Sequence, residues 1–255
     1  MCLDFLLKDR DCGYHNSVLD VRESVNGQPP WLAIEKAWKG ISPMFSDMTE
    51  WIVKIPVLLF AVTIHEYAHG RVALFFGDPT AKNAGRLTWN PISHIDPLGA
   101  ICLFLFHFGW AKPVPVNPAY FRHIRKETVF MSLGGPFANI AAAFITGLVI
   151  RFAPLSSPLF SQMLLYMLLM NTGLGLFNLL PIPPLDGSHV LENVLPRPLS
   201  RKYRSLRRYM PMVLMGVLLA DYFLKIGLFA RILGYPIISL AYAFGGENFL
   251  RLLRL

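Results

Sequence analysis

Residues 51–76 read WIVKIPVLLFAVTIHEYAHGRVALFF and place two histidines and a glutamate inside one long apolar stretch. A membrane-spanning helix needs about 20 mostly apolar residues. This stretch reaches that length before Gly77-Asp78-Pro79, a typical helix stop. Ionisable side chains inside a span are costly unless they pair with one another or bind something. The stretch therefore predicts a transmembrane helix that carries a binding site.

The composition of the whole chain indicates a lipid environment. Of its 255 residues, 54% are hydrophobic and 16% are charged, whereas soluble domains carry about 25% charged residues. Further apolar stretches follow at residues 128–150 and 159–182. We expect an α-helical multi-pass membrane protein with about three core spans. Region 210–250 is predicted to add either one span with a re-entrant piece or two short spans.

The net charge of +8 is compatible with nucleic-acid binding, but the positions of the basic residues favour membrane topology instead. They concentrate in two loops that are separated by two spans, so both loops lie on the same side. The positive-inside rule makes that side cytoplasmic. We therefore expect lipid contacts and no nucleic-acid partner. The basic residues are Lys82, Arg86, Lys112, Arg122, Arg125 and Lys126 in the first loop, and Arg197, Arg201, Lys202, Arg204, Arg207 and Arg208 in the second.

Three regions follow one another along the chain. Residues 1–47 form a polar N-terminal segment without apolar periodicity, residues 48–195 hold the predicted membrane core, and residues 196–255 hold the second basic loop and the C-terminal membrane segments. We expect residues 1–43 to be dispensable for activity, because a chain that starts at Met44 keeps every span and every candidate site residue. The alternative is an outward-facing regulatory segment that filters substrates by bulk.

His65, Glu66 and His69 form an H-E-x-x-H motif. Residues four apart lie on one face of a helix, so both imidazoles can reach one ion. Zinc takes imidazole and carboxylate ligands, and a catalytic zinc site keeps one position for water. Glu66 stands beside the first ligand, where it can take a proton from that water. The cysteines form no CxxC pair, which argues against a Cys-rich zinc site.

A third ligand has to come from another part of the chain. Asp186 lies at the end of the third predicted span, where Pro181, Pro183 and Pro184 break the helix. A broken segment can aim a carboxylate at a metal that a continuous helix would miss. A Pro-Leu-Asp-Gly run is equally typical of a simple turn, so both interpretations stay open on the residues alone. The remaining histidines are the other candidates: His15, His94, His107, His123 and His189.

Several motifs, in the expected order, resemble the site-2 protease family of intramembrane zinc metalloproteases. The likeness covers about residues 48–195 and is greatest to the compact branch, which has neither a PDZ nor a CBS domain. The matching stretches are HEYAHG at 65–70, GDPTAK at 77–82, GRL at 85–87, NP at 90–91, HIDP at 94–97, GWAKPVPVNP at 109–118, GGPFAN at 134–139 and NLLPIPPLDG at 178–187.

This resemblance implies an endopeptidase that hydrolyses peptide bonds in or near transmembrane segments of membrane proteins, with one zinc ion per chain. Residue by residue, it implies that His65, His69 and Asp186 are the zinc ligands and that Glu66 is the catalytic base. Asn178 matches the family asparagine that stabilises the oxyanion. The resemblance also implies a multi-pass protein of a prokaryotic cell (inner) membrane. The count of basic residues in the loops predicts that its active site lies toward the cytoplasm.

The segment Lys112–Pro118 is predicted to form a short membrane-associated β-ribbon. Pro113 and Pro115 remove donors from one edge of such a strand, while Val114 and Val116 keep theirs on the other. The ribbon is expected to close against the protein or to capture an extended substrate by strand addition. A proline-blocked edge that merely prevents aggregation is the alternative.

Two other classes of protein remain open. Membrane zincins of the CaaX-processing or heat-shock type also carry H-E-x-x-H and use a downstream glutamate as third ligand, for which Glu192 is the candidate. A non-catalytic zinc-binding membrane scaffold is the other class, but a pure binder has no need of the base Glu66. We expect structural roles for His94 and Asn139, the first bracing a loop and the second bonding between helices.

Overall fold

The computed structural model describes residues 48–106, 109–154, 157–224 and 226–253. The predicted polar segment 1–47, and with it the expected dispensability of residues 1–43, lies outside the described residues. Short 3-10 turns occur at Pro91–His94 and Pro118–Tyr120. The α-helices of the described part are α1 Met48–Phe75, α2 Thr80–Asn83, α3 Pro97–Phe106, α4 Ile124–Phe152, α5 Pro158–Asn178, α6 Asp186–Val194, α7 Arg197–Leu206, α8 Met210–Leu224 and α9 Leu228–Leu252.

Four of these helices are long and apolar enough to cross a membrane, namely α1 from Ile52 onward, α4, α5 and α9. Large apolar side chains project from their outer faces, such as Phe75 at 83% and Phe152 at 77% exposure. A surface of this kind suits hydrocarbon rather than water. The prediction of an α-helical multi-pass membrane protein is confirmed.

Helix α9 runs antiparallel to α5. The ring of Phe229, near the start of α9, lies 5.9 Å from that of Phe177 at the end of α5. Near the end of α9, a Cβ placed on Gly245 would lie 3.5 Å from the side chain of Leu168, further back along α5. Helices α4 and α5 are antiparallel, because Asn171 bonds to Asn139 whereas Gly175, later in α5, lies beside Pro136, earlier in α4. Helix α9 therefore runs in the direction of α4.

Helix α8 begins and ends at the same end of the bundle. The helix before it, α7, is held there because the Tyr203 hydroxyl donates to the Pro181 carbonyl at 2.8 Å. The helix after it, α9, starts beside Phe177. Fifteen residues of α-helix span about 22 Å, less than the hydrocarbon core of about 30 Å. Region 210–250 thus contains one long helix and one shorter apolar helix, and the elements on both sides of the shorter helix lie at the same end of the bundle.

Asp78, which is fully buried, joins the start of the loop between α1 and α4 to its later part. One of its carboxylate oxygens accepts from the Thr80 N–H at 2.9 Å and the other from the Asn117 N–H at 2.7 Å. Further along, His94 hydrogen-bonds through Nε2 to the Thr88 carbonyl at 3.0 Å. His94 therefore braces this loop, as predicted.

The segment predicted as a β-ribbon, Lys112–Pro118, is irregular in the described structure. A single antiparallel bridge joins Ile95 to Ala111, and the Lys112 N–H donates to the His94 carbonyl at 2.9 Å. The pairing goes no further because Pro113 has no N–H to donate. A longer ribbon stays a prediction.

Helix α5 ends at Asn178, earlier than the predicted span, which extended to residue 182. The physical reason is Pro181, whose ring and missing N–H are incompatible with a continuing helix. After the proline-rich turn the chain starts again as α6 at Asp186, and α6 packs against α4. Arg125 near the start of α4 donates to the Leu195 carbonyl at 2.6 Å and holds the end of α6.

Candidate metal centre

His65, His69 and Asp186 converge inside the helix bundle. The Nε2 atoms of the two histidines lie 3.0 Å apart, and Asp186 Oδ2 lies 3.1 Å from the first and 3.2 Å from the second. Both histidines are buried. Zinc bonds to nitrogen and oxygen are about 2.0–2.2 Å long. One ion placed between these three atoms can therefore reach all of them.

The opposite ring nitrogens, Nδ1, of both histidines are held by acceptors on α4. The Nδ1–H of His69 donates to the Met131 carbonyl at 2.8 Å. That of His65 lies 2.6 Å from Oδ1 of Asn139. A carbonyl oxygen can only accept, so Nδ1 carries the proton and Nε2 keeps a lone pair directed at the other ligands.

This arrangement fits a zinc ion. Two nitrogen lone pairs and a carboxylate oxygen face one another at about 3 Å, a repulsive grouping that a cation between them stabilises. Space is kept open by Gly135, because a Cβ there would lie 2.4 Å from His69 Nε2 and 2.6 Å from His65 Nε2. The donor set and the glycine therefore both agree with a metal site.

The proline-rich turn delivers Asp186 to the histidines. Asp186 is the first residue of α6, and the turn before it is tight: a Cβ on Gly187 would lie 2.2 Å from the Leu179 carbonyl oxygen. A carboxylate that serves as a metal ligand has to be ionised.

The Glu66 side chain is half-buried and extends from α1 to the segment 112–118. Its Oε2 accepts a hydrogen bond from the Val114 N–H at 2.9 Å. Val114 is itself buried and lies against Gly70, where a Cβ would come within 3.2 Å of its side chain. The N–H for which the sequence predicted a strand partner is therefore used to orient the carboxylate of the candidate base.

Asn178, the candidate oxyanion donor, is the last residue of α5. Its amide nitrogen donates to the Leu174 carbonyl of the same helix at 3.0 Å. The structure thus brings His65, His69 and Asp186 together and places Glu66 next to them in α1. It does not show Asn178 bonded to any of these side chains.

Two downstream candidates for the third ligand are engaged elsewhere. Glu192 forms ion pairs with Arg204 at 2.8 Å and Arg207 at 3.5 Å. Arg207 also lies 2.6 Å from His189 Nε2. Burial and then the charge of Arg207 lower the pKa of His189. This cluster joins α6 to the basic helix α7, so it argues against Glu192 as the third ligand of another zincin class.

Sequence reasoning missed three contributors to the centre. Asn139 was expected to bond between helices, and its amide does donate to the Ala61 carbonyl, but its contact with His65 was not predicted. Asn171, bonded to Asn139, and Gly135 were not singled out. A buried asparagine within an apolar span was the available signal, since such polar groups are rarely without function.

An H-E-x-x-H helix whose histidines meet a carboxylate from a later helix defines a metalloprotease, and here the helices around the site can cross a membrane. The family model described as "Peptidase family M50" matches residues 149–218, which include Asp186. No solved structure gives a significant match.

Bacterial relatives named as zinc metalloproteases match a larger part of the chain. YwhC of Bacillus subtilis is 43% identical over 148 residues, which cover 54% of this chain and 67% of YwhC. Rip2 of Mycobacterium tuberculosis is 33% identical over 181 residues, 66% of this chain and 65% of Rip2, and Rip2 of Mycolicibacterium smegmatis is 27% identical over 175 residues, with 66% and 65% covered. The chain thus spans about two thirds of the length of these relatives. It belongs to peptidase family M50 and is a zinc metalloprotease of the site-2 protease type.

Proposed function

We propose that this protein is an intramembrane endopeptidase that cuts peptide bonds in or near transmembrane segments of membrane proteins. The observation that carries the proposal is the convergence of His65, His69 and Asp186 between helices that are long enough to cross a membrane. We assign these three residues as ligands of one zinc ion per chain. A hydrolytic site at this position has its natural substrates in the bilayer rather than in solution.

Glu66 is the general base in this proposal. When bound, zinc polarises the scissile carbonyl and lowers the pKa of water to about 7. The Val114 N–H holds one oxygen of the Glu66 carboxylate, and the other oxygen takes the proton from the attacking water. Glu66 then passes this proton to the leaving amine.

The substrate has to unwind before it can be cut, because a transmembrane helix hides its peptide bonds in its own hydrogen bonds. Segment 112–118 lies beside Glu66 and is suited to receive an extended chain. Since the Val114 N–H is engaged by Glu66, strand addition would use Val116 and the carbonyls of the segment. We therefore expect cleavage near helix-weakening residues of the substrate.

Removal of zinc tests the proposed activity directly. Purified protein is expected to cleave a single-span test substrate, to stop after treatment with a zinc chelator, and to recover when zinc is restored. A soluble peptide of the same cleavage sequence serves as the comparison. Equal cleavage of the soluble peptide would contradict the intramembrane part of the proposal, and full activity after metal removal would contradict the zinc chemistry.

Asn178 is proposed to donate to the tetrahedral oxyanion. Its amide has to turn away from the Leu174 carbonyl to do so. Asn178→Ala is expected to lower kcat about 10²–10³-fold, as for the loss of other oxyanion donors, with zinc content unchanged. Asn193→Ala is the matched control, because Asn193 makes the same bond within its own helix, to the His189 carbonyl. Equal kcat in the two variants would remove Asn178 from the mechanism.

In this proposal the basic loops lie in the cytoplasm, the active site lies toward that side, and α1, α4, α5 and α9 are the membrane crossings. In a chain without its native cysteines, Ser205→Cys in α7 is expected to be shielded from a membrane-impermeant thiol reagent in intact cells. Ser157→Cys, at the opposite end of the bundle, is expected to react. The reverse pattern would show that the protein is inserted the other way.

A further inference from the structure

A chain of buried amides runs through the bundle to the centre. Asn139 in α4 and Asn171 in α5 are both 0% exposed. The amide nitrogen of Asn139 donates to Asn171 Oδ1 at 2.9 Å, and that of Asn171 donates to the Met167 carbonyl at 2.9 Å. At the other end, the oxygen of Asn139 lies 2.6 Å from His65 Nδ1. Asn171 and Asn139 therefore connect α5 and α4 to His65 in α1.

The hydrogen bonds of these two amides have only one consistent arrangement of donors and acceptors. The Met167 carbonyl can only accept, so the nitrogen of the Asn171 amide faces it and its oxygen faces Asn139. Asn139 then meets two acceptors, Asn171 Oδ1 and the Ala61 carbonyl, each at 2.9 Å. Both take its amide nitrogen, which leaves its oxygen for His65. Every orientation thus follows from a backbone carbonyl.

We infer that Asn139 and Asn171 are positioning residues that hold His65 in the tautomer with the proton on Nδ1 and aim its Nε2 at the metal. The inference rests on the proposed role of His65 as a ligand. Groups behind a ligating histidine set its tautomer, its ring orientation and its basicity. Here that group is a side-chain amide, whose direction is fixed by a second amide on another helix.

The two histidines differ in this respect. His69 is held by the Met131 backbone carbonyl, which cannot turn over. The Asn139 amide can rotate by half a turn, and it would then present N–H groups to His65 and an oxygen to two acceptors. Asn171 and the Ala61 carbonyl oppose that rotation. His65 therefore depends on the packing of α4 against α5, whereas His69 depends on α4 alone.

Zinc affinity, measured by competition with a chelator, tests the role of Asn139. Asn139→Leu keeps the volume but removes the acceptor, and it is expected to lower zinc affinity about 10–100-fold. Asn139→Asp restores an acceptor for His65 Nδ1–H, and its second oxygen, when protonated, donates to Asn171 Oδ1 or to the Ala61 carbonyl. This variant is expected to recover most of the loss. Both substitutions disturb the packing, but only Asn139→Asp offers His65 an acceptor. Recovery of zinc affinity in Asn139→Asp would therefore show that the acceptor, and not the packing, determines the affinity. Affinity in Asn139→Asp as low as in Asn139→Leu would overturn the inference.

Asn171 has a matched control in the next residue. Thr172 is equally buried, and its hydroxyl donates only within its own helix, to the Leu168 carbonyl at 2.7 Å. Asn171→Leu is expected to lower zinc affinity and to change the visible absorption spectrum of the cobalt-loaded protein, while Thr172→Val leaves both as in the parent. An unchanged spectrum and an unchanged zinc affinity in Asn171→Leu would show that Asn171 does not position His65.

His65→Ala separates failure of this inference from failure of the proposed function. If His65→Ala binds zinc as the parent does, His65 is not a ligand, and Asn139 and Asn171 have no ligand to position. If His65→Ala loses zinc but Asn139→Leu does not, His65 remains the assigned ligand and the positioning role of Asn139 is wrong. Zinc affinity and cobalt absorption need no substrate, so neither outcome depends on peptide cleavage.

Discussion

Replacement of Glu66 by glutamine is expected to abolish cleavage while the protein keeps its zinc. A glutamine oxygen can still accept the Val114 N–H bond at 2.9 Å, so the side chain stays in place. The amide cannot take a proton from water, and the loss of a general base costs about 10²–10⁴-fold in rate. Zinc content stays at one per chain because Glu66 is not among the proposed ligands.

Cleavage of a single-span substrate and metal analysis of the same preparation measure this outcome. Glu127→Gln is the control, since Glu127 is another glutamate that accepts a backbone N–H, that of His123, at 3.1 Å. Undiminished cleavage by Glu66→Gln would overturn the assignment of the base. If the parent protein binds zinc but cleaves no membrane substrate, a non-catalytic scaffold becomes the better description.

Removal of Asp186, the proposed third ligand, is expected to have the largest effect on zinc affinity. Asp186→Ala leaves the two histidines without the carboxylate that lies 3.1 and 3.2 Å from their Nε2 atoms. Changes behind a ligand already cost about 10–100-fold in affinity, so loss of the ligand itself should cost more than about 100-fold. Cleavage is then lost together with the metal.

Asp221→Ala is the matched control for the carboxylate. The Asp221 side chain accepts the Leu228 N–H at the start of α9, at 2.6 Å, and takes no part in the metal centre. This variant is expected to hold zinc as the parent does. Zinc binding by Asp186→Ala at parental affinity would show that the third ligand lies elsewhere in the chain.

The space beside the ligands gives an independent check on the same site. Gly135→Ala removes no ligand, but its Cβ would lie 2.4 Å from His69 Nε2. Zinc should therefore be lost in this variant as well. Gly216→Ala in the apolar helix α8 meets nothing within 4 Å, and we expect it to bind zinc normally. The pair distinguishes a metal centre that needs this space from one located elsewhere.

The amino-acid sequence was sufficient wherever the structure depends on neighbours along the chain. His65 and His69 share a helix face because they are four residues apart. Apolar length predicted three of the four long helices in outline, α1, α4 and α5, but left two alternatives open for the region that contains α9. Pro181 predicted the end of α5, although that end came earlier than expected. Each of these features follows from helix geometry or from one residue's own backbone chemistry.

Contacts between distant parts of the chain were decided by the tertiary structure. Asp186 was compatible with a simple turn until the packing of α6 on α4 brought its carboxylate 3.1 Å from His65. Asn139 was predicted only to bond between helices, and the orientation of its amide depends on Asn171 in α5. Periodicity tells which face of a helix is polar. Which partner that face meets depends on how the helices pack and which buried donors find acceptors, and no single segment contains that information.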